Sequence, residues 1–217
     1  MNKLEFILFD LDGTLTDPFE GITNSVKYAL EYYGISVKDK NELSCFIGPP
    51  LYASFEKYYG FSKEKAVEAV AKYREYFATK GIFENALYNN VKEFLSELKN
   101  SGLKVILATS KPEVYADKIL EHFEISEYFD CVVGSLLSGE RVDKADVIRE
   151  VLCRLNNPDS DNCIMIGDRE HDIIGAKKNN IASIGVLFGY GSRKELEEAN
   201  ADYIVNDFEE IKAILKI

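Results

Sequence analysis

Histidine and cysteine are scarce in this 217-residue chain. The two histidines, His122 and His171, are too few for a histidine-rich metal site. Cys45, Cys131, Cys153 and Cys163 are scattered and form no CxxC pair. That argues against a zinc framework or a disulfide scaffold, and predicts buried free thiols in a reducing compartment. No block of Lys or Arg occurs, and the net charge is -11. A nucleic-acid partner is therefore not expected, because binding that polyanion needs a basic patch. No apolar run approaches the length that spans a membrane. The apolar piece Phe6–Phe9 runs straight into Asp10, so no signal peptide is read and no membrane partner is expected. The expected location is the cytoplasm. Walker A and Gly-x-Ser-x-Gly motifs are absent, as are repeats and low-complexity stretches. Gly189-Tyr190-Gly191 lacks the third glycine of a dinucleotide fingerprint and reads as a turn.

What is present is an ordinary globular composition, 46% hydrophobic and 29% charged. The length suits one large domain, or a core with a small second unit. Apolar strand-like runs fall at Leu4–Phe9, Lys104–Thr109, Cys131–Gly134, Asn162–Ile166, Ala182–Leu187 and Tyr203–Val205. Several show no polar alternation, as strands covered on both faces do. Helical patterns separate them, at Val91–Asn100, Glu113–Phe123 and Lys144–Leu155. This alternation predicts an α/β fold with a Rossmann-like parallel sheet. Helical patterns follow one another without a strand at Ile22–Tyr33, Pro50–Tyr59 and Lys63–Thr79. In the last, Ala66, Val70, Tyr73 and Phe77 recur at helical spacing, which reads as packing. The expected organisation is a core from residues 1–16 and 82–217, with an all-helical insert from 17–81.

The reactive side chains gather near the expected strand ends. Asp10 and Asp12 lie two apart in Phe9-Asp10-Leu11-Asp12-Gly13-Thr14. On an extended chain their carboxylates project the same way. Two such acids coexist when a cation lies between them or one holds a proton. A plain surface turn is the alternative, since Asp, Gly and Thr favour turns. Thr109-Ser110-Lys111-Pro112 places two hydroxyls at a helix start, suited to a phosphate or to simple capping. Lys144 opens a helix against its dipole, which alone is a weak signal. Gly167-Asp168-Arg169-Glu170-His171-Asp172 follows a strand. If a helix begins there, Asp168 and Asp172 share a face. Together with Asp10 and Asp12 they form an oxygen-rich set suited to Mg²⁺.

In this order and combination, Asp10-x-Asp12-Gly13-Thr14, Thr109, Lys144 and Gly167-Asp168-x-x-x-Asp172 resemble the haloacid-dehalogenase-like hydrolase superfamily. The helical insert resembles that superfamily's type-1 cap. Thr109-Ser110-Lys111-Pro112, Gly139-Glu140-Arg141 and Phe46-Ile47-Gly48-Pro49-Pro50-Leu51 look like the phosphoglycolate-phosphatase and bacterial 5′-nucleotidase branch. Asn89-Asn90 departs from the Pro-Gly that many relatives carry there. The resemblance implies a Mg²⁺-dependent phosphatase acting on a small phosphorylated metabolite. In it, Asp10 attacks phosphorus, and Asp12 serves as acid and then base. Asp10, the Asp12 carbonyl and Asp168 hold the metal, with Asp172 beside it or reaching it through water. Thr109 binds a phosphoryl oxygen with help from N–H groups of Asp12, Gly13 and Ser110, and Lys144 neutralises charge. The insert is expected to close over the site, with Gly48-Pro49 its loop nearest the substrate; an ordinary turn there is the alternative. His171 is taken as an exposed neighbour. Two other outcomes stay open at this point, a phosphomutase of the β-phosphoglucomutase kind and a non-catalytic binding protein. The preferred substrate and the oligomeric state are not legible in the sequence.

Overall fold

The computed structural model describes residues 4–217. The first three residues of the expected core segment lie outside the described residues. The chain forms two compact units, one from Met1–Thr16 with Leu87–Ile217 and one from Asp17–Ala86.

The larger unit is built on six parallel strands. They are β1 (Phe6–Phe9), β4 (Lys104–Pro112), β5 (Cys131–Ser135), β6 (Cys163–Gly167), β7 (Ala182–Val186) and β8 (Tyr203–Val205), in the order β5-β4-β1-β6-β7-β8. Two further short strands, β2 (Thr16–Asp17) and β3 (Ala86–Leu87), pair with each other where the chain passes between the units. The helices of the larger unit are α4 (Val91–Asn100), α5 (Glu113–His122), α6 (Lys144–Arg154), α7 (Glu170–Lys178), α8 (Arg193–Glu198) and α9 (Phe208–Leu215).

Strand β1 is covered on both faces, and Ile7, Leu8 and Phe9 have no exposed surface. Leu8 lies opposite Ile106 and Met165 in the sheet. It joins a core with Val147 and Val151 of α6 and Ala176 of α7. Phe9 points the other way, as alternation requires. Its ring meets Phe94 of α4 edge-on at 5.8 Å, and Phe94 stacks on Phe208 of α9 at 4.7 Å. Helices therefore cover both faces, which explains the unbroken apolar runs. The strand order reverses at β1, with β4 and β5 on one side and β6 to β8 on the other. In such sheets a crevice opens at the carboxyl ends of the strands flanking the reversal.

The smaller unit holds α1 (Phe19–Tyr32), a 3-10 turn at Lys40–Phe46, α2 (Leu51–Tyr59), α3 (Lys63–Tyr76) and a π turn at Phe77–Gly81. Helices α1 and α2 both pack on α3. The stripe Ala66, Val70, Tyr73 and Phe77 is buried within the unit. The unit runs to Ala86, five residues past the expected boundary. The π turn prolongs α3, and the Gly21 N–H donates to the Glu84 carbonyl at 2.8 Å, tying that segment to α1.

Several local expectations are corrected. Strand β4 continues to Pro112, with a register shift between Ala108 and Pro112, so Thr109 and Ser110 lie in the strand and cap nothing. The N-cap of α5 is Pro112, which has no side-chain cap bond. Helix α7 starts at Glu170, so Asp168 precedes it and the shared-face argument for Asp168 and Asp172 does not hold. Helices α8 and α9 were not expected; both are short, and the Ser192 and Asp207 side chains cap them. Asn90 adopts the left-handed conformation at φ 66°, which Asn tolerates better than most residues. All four cysteines are free, but only Cys163 is buried, its thiol pushed up to about 11, chiefly by burial. Cys153 is exposed. Among the described residues, no helix is long and apolar enough to cross a membrane.

Candidate active site

The crevice at the carboxyl ends of β1, β4 and β6 collects the acids and the lysines. Asp10 leaves β1 while its N–H still donates to the Ile166 carbonyl of β6 at 2.9 Å. The chain then curls around Leu11, whose carbonyl accepts from the N–H groups of Leu15 (2.9 Å) and Thr16 (3.0 Å). This curl places Asp12 on the same edge. Gly13 sits at φ 83°, and a Cβ there would overlap the Asp168 carboxylate. Only glycine meets both demands. The Gly13 N–H donates to the Thr16 carbonyl at 2.7 Å, so a phosphate contact from it requires that bond to be given up.

Asp10, Asp168 and Asp172 bring one carboxylate oxygen each within 4.8 Å of one another. All three are buried, Asp168 completely. The Asp168 Oδ2 accepts from the Tyr190 N–H at 2.8 Å, while its Oδ1 is buried and has no hydrogen-bond donor. The Asp172 Oδ2 accepts from the Arg169 N–H at 3.1 Å at the start of α7. A Cβ on Gly167 would overlap the Asp172 carboxylate, so this acid too is seated against bare backbone.

Lys144 bridges two acids of this cluster. The Lys144 ammonium lies 2.7 Å from Asp10 Oδ1 and 2.8 Å from Asp172 Oδ1, and it donates to the Ala108 carbonyl at 2.9 Å. It enters from the first turn of α6, where the Asp143 side chain accepts from the Ala145 N–H and caps the helix. Burial pulls the Lys144 pKa down, but Asp10 and Asp172 more than offset it, so the ammonium is held above its ordinary range. Burial, reinforced by Asp172 and Asp10, pushes the Asp168 carboxyl well above the usual carboxylate range. Burial also raises Asp172, against the pull of Lys144. Three buried acids share the Lys144 ammonium, and Arg169 adds positive potential at Asp168. A hard cation with oxygen ligands fits that set, and the donorless Asp168 Oδ1 offers a place for it.

Asp12 has a separate arrangement. Its Oδ2 lies 2.7 Å from the Lys111 ammonium, and both side chains are buried. Its Oδ1 is buried without a hydrogen-bond partner. Burial raises the Asp12 pKa; Lys111 lowers it and Asp10 raises it, and the net direction is up. Thr109 is buried, and its hydroxyl accepts from the Lys111 N–H at 3.2 Å while keeping its own O–H to donate. Ser110 adjoins it, half-buried in β4. Gly48 belongs to the helical unit, in the loop after the 3-10 turn. His171 is half-buried rather than exposed, and lies outside the acid cluster.

Two contributors were missed in the sequence. Lys111 was visible only as part of a hydroxyl motif, yet it is the direct partner of Asp12. The Gly189-Tyr190-Gly191 segment was read as a turn, yet its Tyr190 N–H holds Asp168. The signal for both was position: Lys111 lies near the carboxyl end of β4, beside β1, and Tyr190 follows the carboxyl end of β7.

A family model described as haloacid dehalogenase-like hydrolase matches residues 7–186. The chain belongs to that family. A 5′-nucleotidase of Pseudomonas aeruginosa is 43% identical over 210 residues, covering 97% of this chain and 95% of that protein. The tyrosine-protein kinase PtkA of Mycobacterium tuberculosis is 33% identical over 202 residues, covering 93% of this chain and 68% of that protein. A crystal structure of a predicted phosphatase from Clostridium acetobutylicum superimposes with a TM-score of 0.96 at 52% identity, covering all of both chains. Within this haloacid dehalogenase-like family the chain is an enzyme of the phosphatase class.

Proposed function

We propose that this phosphatase hydrolyses a small phosphomonoester of the nucleoside 5′-monophosphate or phosphoglycolate type through an aspartyl-phosphate on Asp10. The observation that carries the reading is the pairing of two buried aspartates, two apart in sequence, with two different lysines. That division suits two different tasks. Asp10 sits beside Lys144 in the cluster, as a nucleophile needs when it approaches an anionic phosphoryl group. Asp12, set apart with a raised pKa, suits an acid and base.

In the first step an Asp10 carboxylate oxygen bonds to phosphorus, and the leaving oxygen departs with a proton from Asp12. In the second step Asp12 takes a proton from water as the water oxygen bonds to phosphorus. The Asp10–phosphorus bond breaks, releasing inorganic phosphate and both aspartates. Thr109 donates its O–H to a phosphoryl oxygen, and Ser110 lines the same edge. Lys144 keeps its proton throughout and balances the charge gathering on Asp10 and the transferring group. Asp10, Asp168, Asp172 and the Asp12 carbonyl are the groups that would hold Mg²⁺, which when bound offsets the charge of the phosphoryl oxygens.

The 43% identical 5′-nucleotidase supports a nucleoside 5′-monophosphate as the first substrate to try. The test is phosphate release from nucleoside monophosphates, phosphoglycolate, sugar phosphates and pyrophosphate, with Mg²⁺ and with EDTA, beside an Asp10→Asn control. Turnover that needs Mg²⁺ and disappears in the control is expected. Isomerisation of a sugar phosphate without phosphate release would replace this reading with a mutase.

A further inference from the structure

The Lys111 side chain is only 5% exposed, near the carboxyl end of β4. A buried ammonium is costly unless it has a fixed partner. The partner here is Asp12 Oδ2 at 2.7 Å. Lys144 is committed elsewhere, to Asp10, Asp172 and the Ala108 carbonyl. Each lysine thus attends a different member of the Asp10–Asp12 pair.

The two oxygens of Asp12 differ. One is held by an ammonium; the other is buried and has no hydrogen-bond partner. A carboxylate side chain pinned at one oxygen cannot turn freely, so the second oxygen has a defined place. The Lys111 backbone is fixed as well, because its N–H donates to the Thr109 hydroxyl at 3.2 Å. The same short stretch of β4 therefore aims a phosphate-binding hydroxyl and the lysine that grips Asp12. Thr109 and Lys111 are two apart, so an extended strand carries them on one face, and the register shift between Ala108 and Pro112 lies across this stretch.

We propose that Lys111 is a positioning residue for Asp12, holding Oδ2 so that Oδ1 is the oxygen that gives and takes the proton. This rests on the assignment of Asp12 as acid and base in the proposed function. Lys111 touches no reacting atom in this account; it acts through Asp12. No atom beyond those of the two-step reaction is exchanged.

The experiment compares kcat/KM for a phosphate ester of a simple alkyl alcohol and for p-nitrophenyl phosphate in the purified full chain. An alkoxide needs a proton to leave, whereas nitrophenolate does not. Positioned general acids contribute about 10²- to 10⁴-fold, so Lys111→Met is expected to lose roughly 10²-fold on the alkyl ester and under about 10-fold on the aryl ester. Lys111→Gln keeps a donor and is expected to recover part of the alkyl activity. In an Asp12→Asn background, Lys111→Met is expected to change the residual alkyl rate by no more than about twofold, because residues acting as a unit are non-additive. Circular dichroism of each variant establishes that it is folded, and Lys111→Gln carries the comparison should Lys111→Met not fold.

Equal losses on both esters would overturn the proposal, since a general structural defect spares neither. So would an unchanged alkyl rate, or a loss that persists undiminished in the Asp12→Asn background. With phosphoglycolate assayed alongside, a loss confined to it would also overturn the proposal and give Lys111 to the substrate carboxylate. The catalytic reading fails on a different observation, activity retained by Asp10→Asn.

Discussion

Removing the Lys144 ammonium is the sharpest perturbation of the site. Lys144→Met keeps the length and apolar stem of the side chain and deletes its charge. Asp10 and Asp172 then lose a cation at 2.7 Å and 2.8 Å, and the Ala108 carbonyl loses its donor. Removing one partner of a buried ion pair costs about 3 to 5 kcal/mol, because the remaining charge is left uncompensated. At roughly 2 to 4 °C per kcal/mol for a chain of this size, melting should fall by about 6 to 20 °C in EDTA at pH 7.5. The deficit carries a pH signature. Burial already raises Asp172 above its unfolded value, and losing Lys144 raises it further. An acid with a raised folded pKa binds protons more tightly when folded. Its stabilising contribution is complete below the unfolded pKa of about 3.9 and is lost as pH rises through the folded pKa. The melting deficit should therefore be largest at pH 7.5 and shrink toward pH 5. Thermal melts of both proteins across that range measure it. An unchanged melt at pH 7.5, or a deficit that grows toward acid, would refute the reasoning.

Other outcomes follow from the same geometry. Mg²⁺ should raise the melting temperature of the wild type by competing with protons on Asp168 and Asp172, more at pH 7.5 than at pH 5, and Asp168→Asn should abolish the shift. At a hundred times its dissociation constant the ion contributes about 2.7 kcal/mol. Gly13→Ala combines a left-handed φ of 83° with overlap on Asp168, so it should destabilise by more than about 1 kcal/mol and weaken the Mg²⁺ shift, read by urea melts with and without the ion. Phe94→Ala removes the ring that joins Phe9 to Phe208 and should cost about 3 to 5 kcal/mol by urea denaturation, with Mg²⁺-dependent turnover retained wherever the protein is folded.

The parts of the molecule legible in the sequence are those decided by local pattern. Strand β1 is an unbroken apolar run because helices cover both its faces, so its existence followed from composition alone. Helix α4 was placed to the residue, because Ser101-Gly102 stops it and its apolar face has a clean period. Short helices α8 and α9 were not seen, since six- and eight-residue segments hold too few turns to show a period. The candidate site divides the same way. Asp10, Asp12, Asp168 and Asp172 stood out as acids next to strand ends. The route by which Asp168 and Asp172 meet was misjudged, because the helix starts at Glu170: Asp168 comes from the loop before it and Asp172 from its first turn. Lys111 was passed over because a lysine after a strand is ordinary in sequence. What makes it unusual is burial, together with a partner about a hundred positions away, and no local pattern records either.

Chemical trapping at Asp10 tests the central claim most directly. The enzyme is mixed with its best phosphomonoester and Mg²⁺, quenched within one turnover and reduced with borohydride, which converts an acyl phosphate to an alcohol. Peptide mass spectrometry should then find Asp10 reduced to homoserine in the wild type, only when substrate is present, and unmodified Asn in Asp10→Asn. Full turnover with no reduction at Asp10, or reduction at Asp12 instead, would contradict the account.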